Sequence, residues 1–190
     1  IANSLVKFTI VIVSGLLILS ELGINVGPIL AAAGVLGIAV GFGSQRLVED
    51  IISGFLILIS DQIRVGDVVQ IGDKSGYVEK INLKMVTLRD ISGNVHFIRN
   101  GKIDIITNMT KDYSYALFDI GVAYKENVEK VMDVINKVYE EVKQNPLFEQ
   151  DILEPIEILG LNKFEDSAVI IRARIKTIPI KQWAVSREFN

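Results

Sequence analysis

Leu22 to Gln45 is a run of 24 residues without a single charge. A bilayer core about 30 Å thick is crossed by roughly 20 consecutive apolar residues in helix, so this segment is long enough to span one. An amphipathic helix of a soluble protein keeps a polar face, and this run has none. That disfavours the alternative, a helical hairpin buried inside a soluble protein. Ile1 to Ser20 is interrupted only by Lys7. It spans as well if the lysine stem carries its ammonium to the interface. A signal peptide does not describe it, because a second apolar run follows at once with no cleavage-like context between them.

The apolar excess ends abruptly. From Ile1 to Ser60 only Lys7, Glu21, Arg46, Glu49 and Asp50 are charged, whereas the chain beyond Ser60 has the mixed composition of ordinary soluble protein. The strongest boundary in the sequence is therefore Ser60–Asp61. A formal net charge of −3 gives no basic excess, so nucleic acid is not an expected partner. The absence of cysteine excludes disulfides and thiol chemistry. The first residue is not Met and lies inside an apolar stretch, and Trp183–Asn190 reads as the opening turns of a helix. The chain is expected to be part of a longer protein.

The long run is unusual in its small residues. At about 100° per residue, Gly27, Gly34, Gly37 and Gly41 fall on one side, and Ala32, Ala39 and Gly43 on the nearly opposite side. Small residues let helix backbones approach closely in lipid. Two such faces suggest a close neighbour on each side, which in a homo-oligomer closes into a ring. Between them runs a stripe of Ala31, Val35, Ile38 and Phe42. In a ring this stripe faces the axis or the outside. Glycine-rich membrane packing without a pore fits the same geometry.

Arg46 to Ser60 changes character. Leu47, Val48, Ile51, Ile52, Phe55, Leu58 and Ile59 share one broad face, and Glu49, Asp50 and Ser53 the other. The pattern predicts an amphipathic helix that lies along an interface or packs on a domain. A helix break is expected near Gly43–Arg46.

The remainder alternates between strands and helices. Val68–Ile71, Gly76–Ile81, Met85–Arg89 and Val95–Ile98 read as short strands, with turns at Gly72-Asp73 and Ser92-Gly93-Asn94. A small antiparallel barrel fits them. Such barrels also bind RNA, but this segment has few aromatics for stacking bases and no dense basic cluster. Leu117–Tyr124 reads as a strand, Asn127 as the N-cap of a helix to Val142, and Ile156–Leu159 and Ala168–Lys176 as further strands. This order suggests a compact α+β layer.

No catalytic constellation appears, and no cofactor is called for. His96 is the only histidine, so there is no histidine cluster for a metal; it reads as a surface strand residue. Glu49 and Asp50 suit a solvated helix face better than a metal pair. Arg172, Arg174 and Lys176 alternate with apolar residues, which puts three cations on one strand face. They form either a solvated sheet surface or a positive patch that biases passing ions.

Several segments resemble one family. Ala31-Ala32-Ala33-Gly34-Val35-Leu36-Gly37-Ile38-Ala39-Val40-Gly41-Phe42-Gly43-Ser44-Gln45 is similar to the pore helix of small-conductance mechanosensitive (MscS) channels, and Asp50-Ile51-Ile52-Ser53-Gly54 to the half-helix after it. Arg64-Val65-Gly66-Asp67-Val68-Val69 resembles the entry to that family's β domain. Thr87-Leu88-Arg89, Gly93 and Ile98-Arg99-Asn100-Gly101 resemble its later strands, and Gly121-Val122-Ala123-Tyr124 the start of its α/β domain. Arg46 stands where members often have Gly, at the helix kink, and Arg99 where they often have Pro.

The resemblance implies a membrane protein: transmembrane helices, then a small all-β (Sm-like) barrel domain and a mixed α+β domain. Residues 1–60 would be the transmembrane and pore-lining helices, with 46–60 the amphipathic half-helix; 61–110 the β domain; 111–190 the α+β domain, incomplete at its C-terminus. It implies a homoheptamer in a bacterial or archaeal cell membrane, with a cytoplasmic C-terminal region. Tension would open it to ions and small osmolytes. Ile38 and Phe42 match the two apolar pore rings, Ala31 and Val35 line the pore above them, and Gln45-Arg46 is the helix break. The competing reading is a membrane-anchored scaffold or RNA-binding-like β-barrel protein without a pore.

Overall fold

The computed structural model describes residues 2–190, and the side chains of all of these but Ala2 and Leu5. The chain divides into two compact units, Ile1–Glu49 and Asp50–Asn190.

The first unit holds α1 (Ala2–Glu21) and most of α2 (Gly27–Ile59). Local chemistry sets the turn between them. Gly23 takes a positive φ of 80°. Its N–H donates to the Ser20 carbonyl while the Ile24 N–H donates to Leu19, the paired bonds of a Schellman C-cap. Two residues on, Asn25 Oδ1 accepts the Gly27 N–H at 3.0 Å and opens α2.

The expected break near Gly43–Arg46 is not present: α2 is helical without interruption from Gly27 to Ile59. Nothing in that stretch stops a helix. Gly43–Arg46 contains no proline, each glycine weakens a helix by only about 1 kcal/mol, and Gln45 and Arg46 are good helix formers. Ser44 Oγ donates back to the Gly41 carbonyl at 3.2 Å, so the hydroxyl is satisfied inside the helix.

The second unit begins with the last turns of α2 and continues into two sheets. Strands β1 (Val68–Ile71), β2 (Lys74–Ile81), β3 (Met85–Arg89), β4 (Val95–Arg99) and β5 (Ile106–Asn108) form an antiparallel sheet in the order β4-β3-β2-β1-β5. Its inward residues Val69, Ile71, Val78, Val86 and Leu88 pack with Ile63 and with Ile57 of α2. The composition boundary at Ser60–Asp61 therefore lies inside a packed body. Gly72 takes the positive φ (59°) of the two-residue β1–β2 turn.

The β3–β4 turn is built around one carboxylate. Asp90 accepts the N–H groups of Ser92 and Asn94 and the Asn94 side-chain amide, each at 2.9 Å, and His96 Nε2 lies 3.0 Å away. His96 is thus half-buried and partnered. The Asn94 side-chain bond, with the two backbone N–H groups and His96, outweighs desolvation and lowers the Asp90 carboxyl from 3.8 to about 2. A depressed carboxyl stabilises the fold above its unfolded value, and that contribution is lost as pH falls toward the folded one. Acidification from about pH 4 to pH 2 should therefore loosen this turn. Hydrogen exchange at the Ser92 and Asn94 amides should quicken across that window in the native protein. In Asp90→Ala, which is uncharged and lacks the acceptor, the two amides should show no such acid step.

The second sheet has the order β6-β8-β7 from β6 (Ser114–Val122), β7 (Glu157–Phe164) and β8 (Val169–Thr177), with α3 (Val128–Gln144) and α4 (Gln182–Phe189) completing the layer. Asn127 Oδ1 caps α3, accepting from the Glu129 and Lys130 N–H groups at 2.8 and 3.2 Å. Ile135, Tyr139 and Val142 of α3 and Val185 and Phe189 of α4 pack on Ala116, Phe118, Ile171, Ala173 and Ile175 of the sheet.

Candidate pore helix

An unbroken α2 fixes where its side chains point. Val35, Ile38 and Phe42 are 68, 61 and 75 % exposed, and Ala31 is exposed beside them. A methyl group added at Gly34, Gly37, Gly41 or Gly43 would meet nothing within 4 Å. Ala32 and Ala39 on the other small face are exposed too. The stripe and both small faces are therefore uncovered within the subunit. Gly27 is different: it is the first residue of α2, and a Cβ there would press against the Asn25 Oδ1 that caps the helix.

The last turns of α2 reverse the expected orientation. Asp50 was placed on a solvated face, but it is 3 % exposed and accepts the Gly101 N–H through Oδ1 at 3.0 Å. Arg99 Nη1 stands 3.8 Å from its other oxygen. One turn on, a Cβ at Gly54 would collide with Asn100 Nδ2 and the Leu83 carbonyl. One turn further, Ile57 enters the β core. The broad apolar face, including Leu47, Ile52, Phe55 and Ile59, is left exposed. Two motifs far apart in sequence, Asp50–Gly54 and Ile98–Gly101, thus meet in space. Periodicity missed this because a buried carboxylate partnered by a backbone N–H looks like any surface acid in a sequence. The glycine one turn after it was the available signal.

Arg172, Arg174 and Lys176 do share one face of β8, yet they form no bare positive patch. Arg172 pairs with Asp119 and Arg174 with Glu157, both at 2.6 Å, and Lys176 with Glu154. Arg174 and Lys176 also lie over the rings of Tyr115 and Tyr113, 4.4 and 4.5 Å from the centroids. The Arg172 hydrogen bond holds the Asp119 carboxyl below its usual range. Three cations face three carboxylates, so the face is balanced at neutral pH. The sequence pattern showed the cations because they alternate along one strand; their partners come from β6, β7 and the loop before β7.

Three family models match the chain in order: mechanosensitive ion channel, transmembrane helices 2/3 (residues 4–45); its β-domain (residues 46–111); and MscS, C-terminal (residues 116–190). The chain belongs to the mechanosensitive ion channel family. It is 38 % identical over 190 residues to the small-conductance mechanosensitive channel of Caldanaerobacter subterraneus subsp. tengcongensis, covering all of this chain and 66 % of that protein. The moderate conductance mechanosensitive channel YbiO of Escherichia coli is 32 % identical over 170 residues, 90 % of this chain and 23 % of that one. The chain thus spans about two thirds of one relative's length and far less of the other. The fold is similar to that of Helicobacter pylori MscS, solved in its closed state, with a TM-score of 0.74 at 23 % identity over 98 % of this chain and 73 % of that one. Arabidopsis thaliana MSL1 gives a TM-score of 0.65 at 16 % identity, covering 99 % and 69 %.

Membership of this family agrees with the layout of the chain: membrane helices first, then a β domain, then an α+β domain. It is a family of channels, not of enzymes. Among the described residues, α2 is long and apolar enough to cross a bilayer by length and composition, and it carries the stripe and both small faces.

Proposed function

We propose that this chain is a subunit of a homo-oligomeric ion channel that membrane tension opens to ions and small osmolytes. The observation that carries this is α2: an apolar membrane-length helix whose two small faces flank an exposed stripe, all uncovered within the subunit. Copies side by side, each laying its glycine face on a neighbour's alanine face, make a ring with the stripe of Ala31, Val35, Ile38 and Phe42 toward its axis. Ile38 and Phe42 are the closed gate, and seven copies form the ring. The chain crosses the cell membrane more than once and carries its two sheet domains in the cytoplasm. Lipid covers the surfaces of α1 and α2 that face away from the ring.

Tension selects between two packings of such a ring that differ in in-plane area, favouring the wider one; it shifts the equilibrium only by that difference. Suction applied to patches of liposomes holding the purified full-length protein should give stepwise currents above a threshold. A silent membrane holding correctly assembled protein would contradict the reading. Gly41→Val tests the ring itself. Because a Cβ at Gly41 meets nothing within 4 Å in the subunit, subunit folding should be unchanged. Overpacking between neighbours, about 1–3 kcal/mol per site, should shift the tension midpoint or weaken assembly. Unchanged gating with unchanged oligomer size would remove the glycine face from the interface.

A further inference from the structure

A cleft of about 660 Å³ lies between α4 and the first sheet, both within the second unit. That is the size of a small-molecule site. One wall is Tyr77 of β2 with the β3–β4 turn, where Ile91 is fully exposed. The other is Trp183, Ala184 and Arg187 of α4, with Ile180 just before it. Met109 joins the two walls. Its N–H donates to the Val68 carbonyl of β1 at 2.9 Å, and its carbonyl accepts from Gln182 Nε2 of α4 at 3.3 Å. The lining is apolar and open: Tyr77, Ile180 and Trp183, the only tryptophan in the chain, are 46, 46 and 39 % exposed. Ile180 is held at a positive φ of 74°. A β-branched residue enters that region only at a cost, and such strain clusters at ligand sites. The charges around the cleft do not balance. Arg89 is spent on Glu79 and the Gly93 carbonyl, and Asp90 on its own turn. Arg187, one turn after Trp183, is exposed and has no ion-pair or hydrogen-bond partner among the described residues.

We propose that this cleft binds a small organic anion with an aromatic body, its charged group on the Arg187 guanidinium and its rings against Trp183 and Tyr77. Apolar walls favour an apolar body in proportion to the area removed from water. An open guanidinium takes a carboxylate or sulfonate through two parallel N–H bonds. With one unpaired cation, the cleft suits a single negative charge; a polyanion such as a nucleoside triphosphate would leave most of its charge unmatched. A ligand lying on both walls ties α4 to the first sheet. The site lies apart from the α2 stripe, so the inference stands independently of the pore reading.

Calorimetric titration of 2-naphthoate into the full-length protein in lipid nanodiscs, blanked against empty nanodiscs, tests this. One site per subunit should saturate by about 1 mM. Arg187→Gln should weaken binding about tenfold, the weight of one hydrogen bond to a charged group. Ala184→Phe, which puts a ring into the cleft, should abolish it. The uncharged 2-naphthalenemethanol should bind the native protein about as weakly as 2-naphthoate binds Arg187→Gln. Native-strength binding of 2-naphthoate to either variant overturns the proposal. So does the absence of saturable binding to the native protein, the result expected if a second copy of the chain fills the cleft. If neither variant assembles, equal affinity of the native protein for the two probes overturns it.

Discussion

The double substitution Ile38→Ser/Phe42→Ser is expected to conduct at zero applied tension. Both side chains are more than half exposed within the subunit, at 61 and 75 %, and neither contributes to its own core. They lie one turn apart on the stripe. Around a ring axis they form two stacked apolar collars, and a narrow apolar tube blocks ions by shedding water before it is sterically shut. A hydroxyl at each position restores hydration and removes that barrier. If the two side chains instead packed between neighbouring helices, the same change would remove contacts worth about 1.5–3 kcal/mol per side chain. Assembly or expression would fall with no resting conductance. Single-channel recording on assembled mutant protein separates the outcomes: resting current supports the gate, and a closed, normally gated double mutant removes both residues from it.

Gly54→Ala is expected to destabilise the second unit strongly. The new Cβ would lie inside the contact distance of Asn100 Nδ2 and of the Leu83 carbonyl. The second of these is backbone and does not rotate away. Asn100 itself is fully buried, held by its side-chain amide to the Asn82 carbonyl at 2.8 Å and by its N–H to Lys84 at 3.0 Å. Overpacking of this kind costs about 1–3 kcal/mol, and each kcal/mol lowers the unfolding midpoint by about 2–4 °C in a domain of this size. Thermal unfolding in detergent should show that drop. Hydrogen exchange at the Gly101 amide should quicken, because α2 can no longer bring Asp50 onto it. Gly15→Ala on α1, with nothing in reach of its methyl, is the control and should leave the midpoint where it was. Equal midpoints for the two variants would mean that α2 does not dock through Gly54.

Elements whose side chains alternate without interruption were legible in the sequence. The strands at Val68–Ile71 and Met85–Arg89 have the expected bounds, and Asn127 caps α3 as its side chain suggests. Strand β7 runs to Phe164 rather than ending at Leu159. Register shifts at Ile158/Gly160 and Leu161/Lys163 scramble the period of two on which the reading depends. Two features of α2 escaped for a different reason. Its continuity through Gly43–Arg46 depends on the absence of any hard stop, against the appearance of a glycine-rich hinge. Its docking face follows from steric fit at Gly54 and one backbone hydrogen bond to Asp50, which no hydrophobic pattern encodes. The stripe and small faces can be read directly, because they rest only on residue size and helical spacing.

That the α2 stripe lines the pore is open to a direct test, because the chain has no cysteine of its own. Single cysteines would be placed at Val35, Ile38 and Phe42 on the stripe, and at Leu36 and Val40 on the far side of the helix. A charged, membrane-impermeant thiol reagent would then be applied to channels held open by tension. The account predicts that current changes at the three stripe positions and not at the two behind them, following the helical period. Modification of current at Leu36 and Val40 with none at Val35, Ile38 and Phe42 would contradict it.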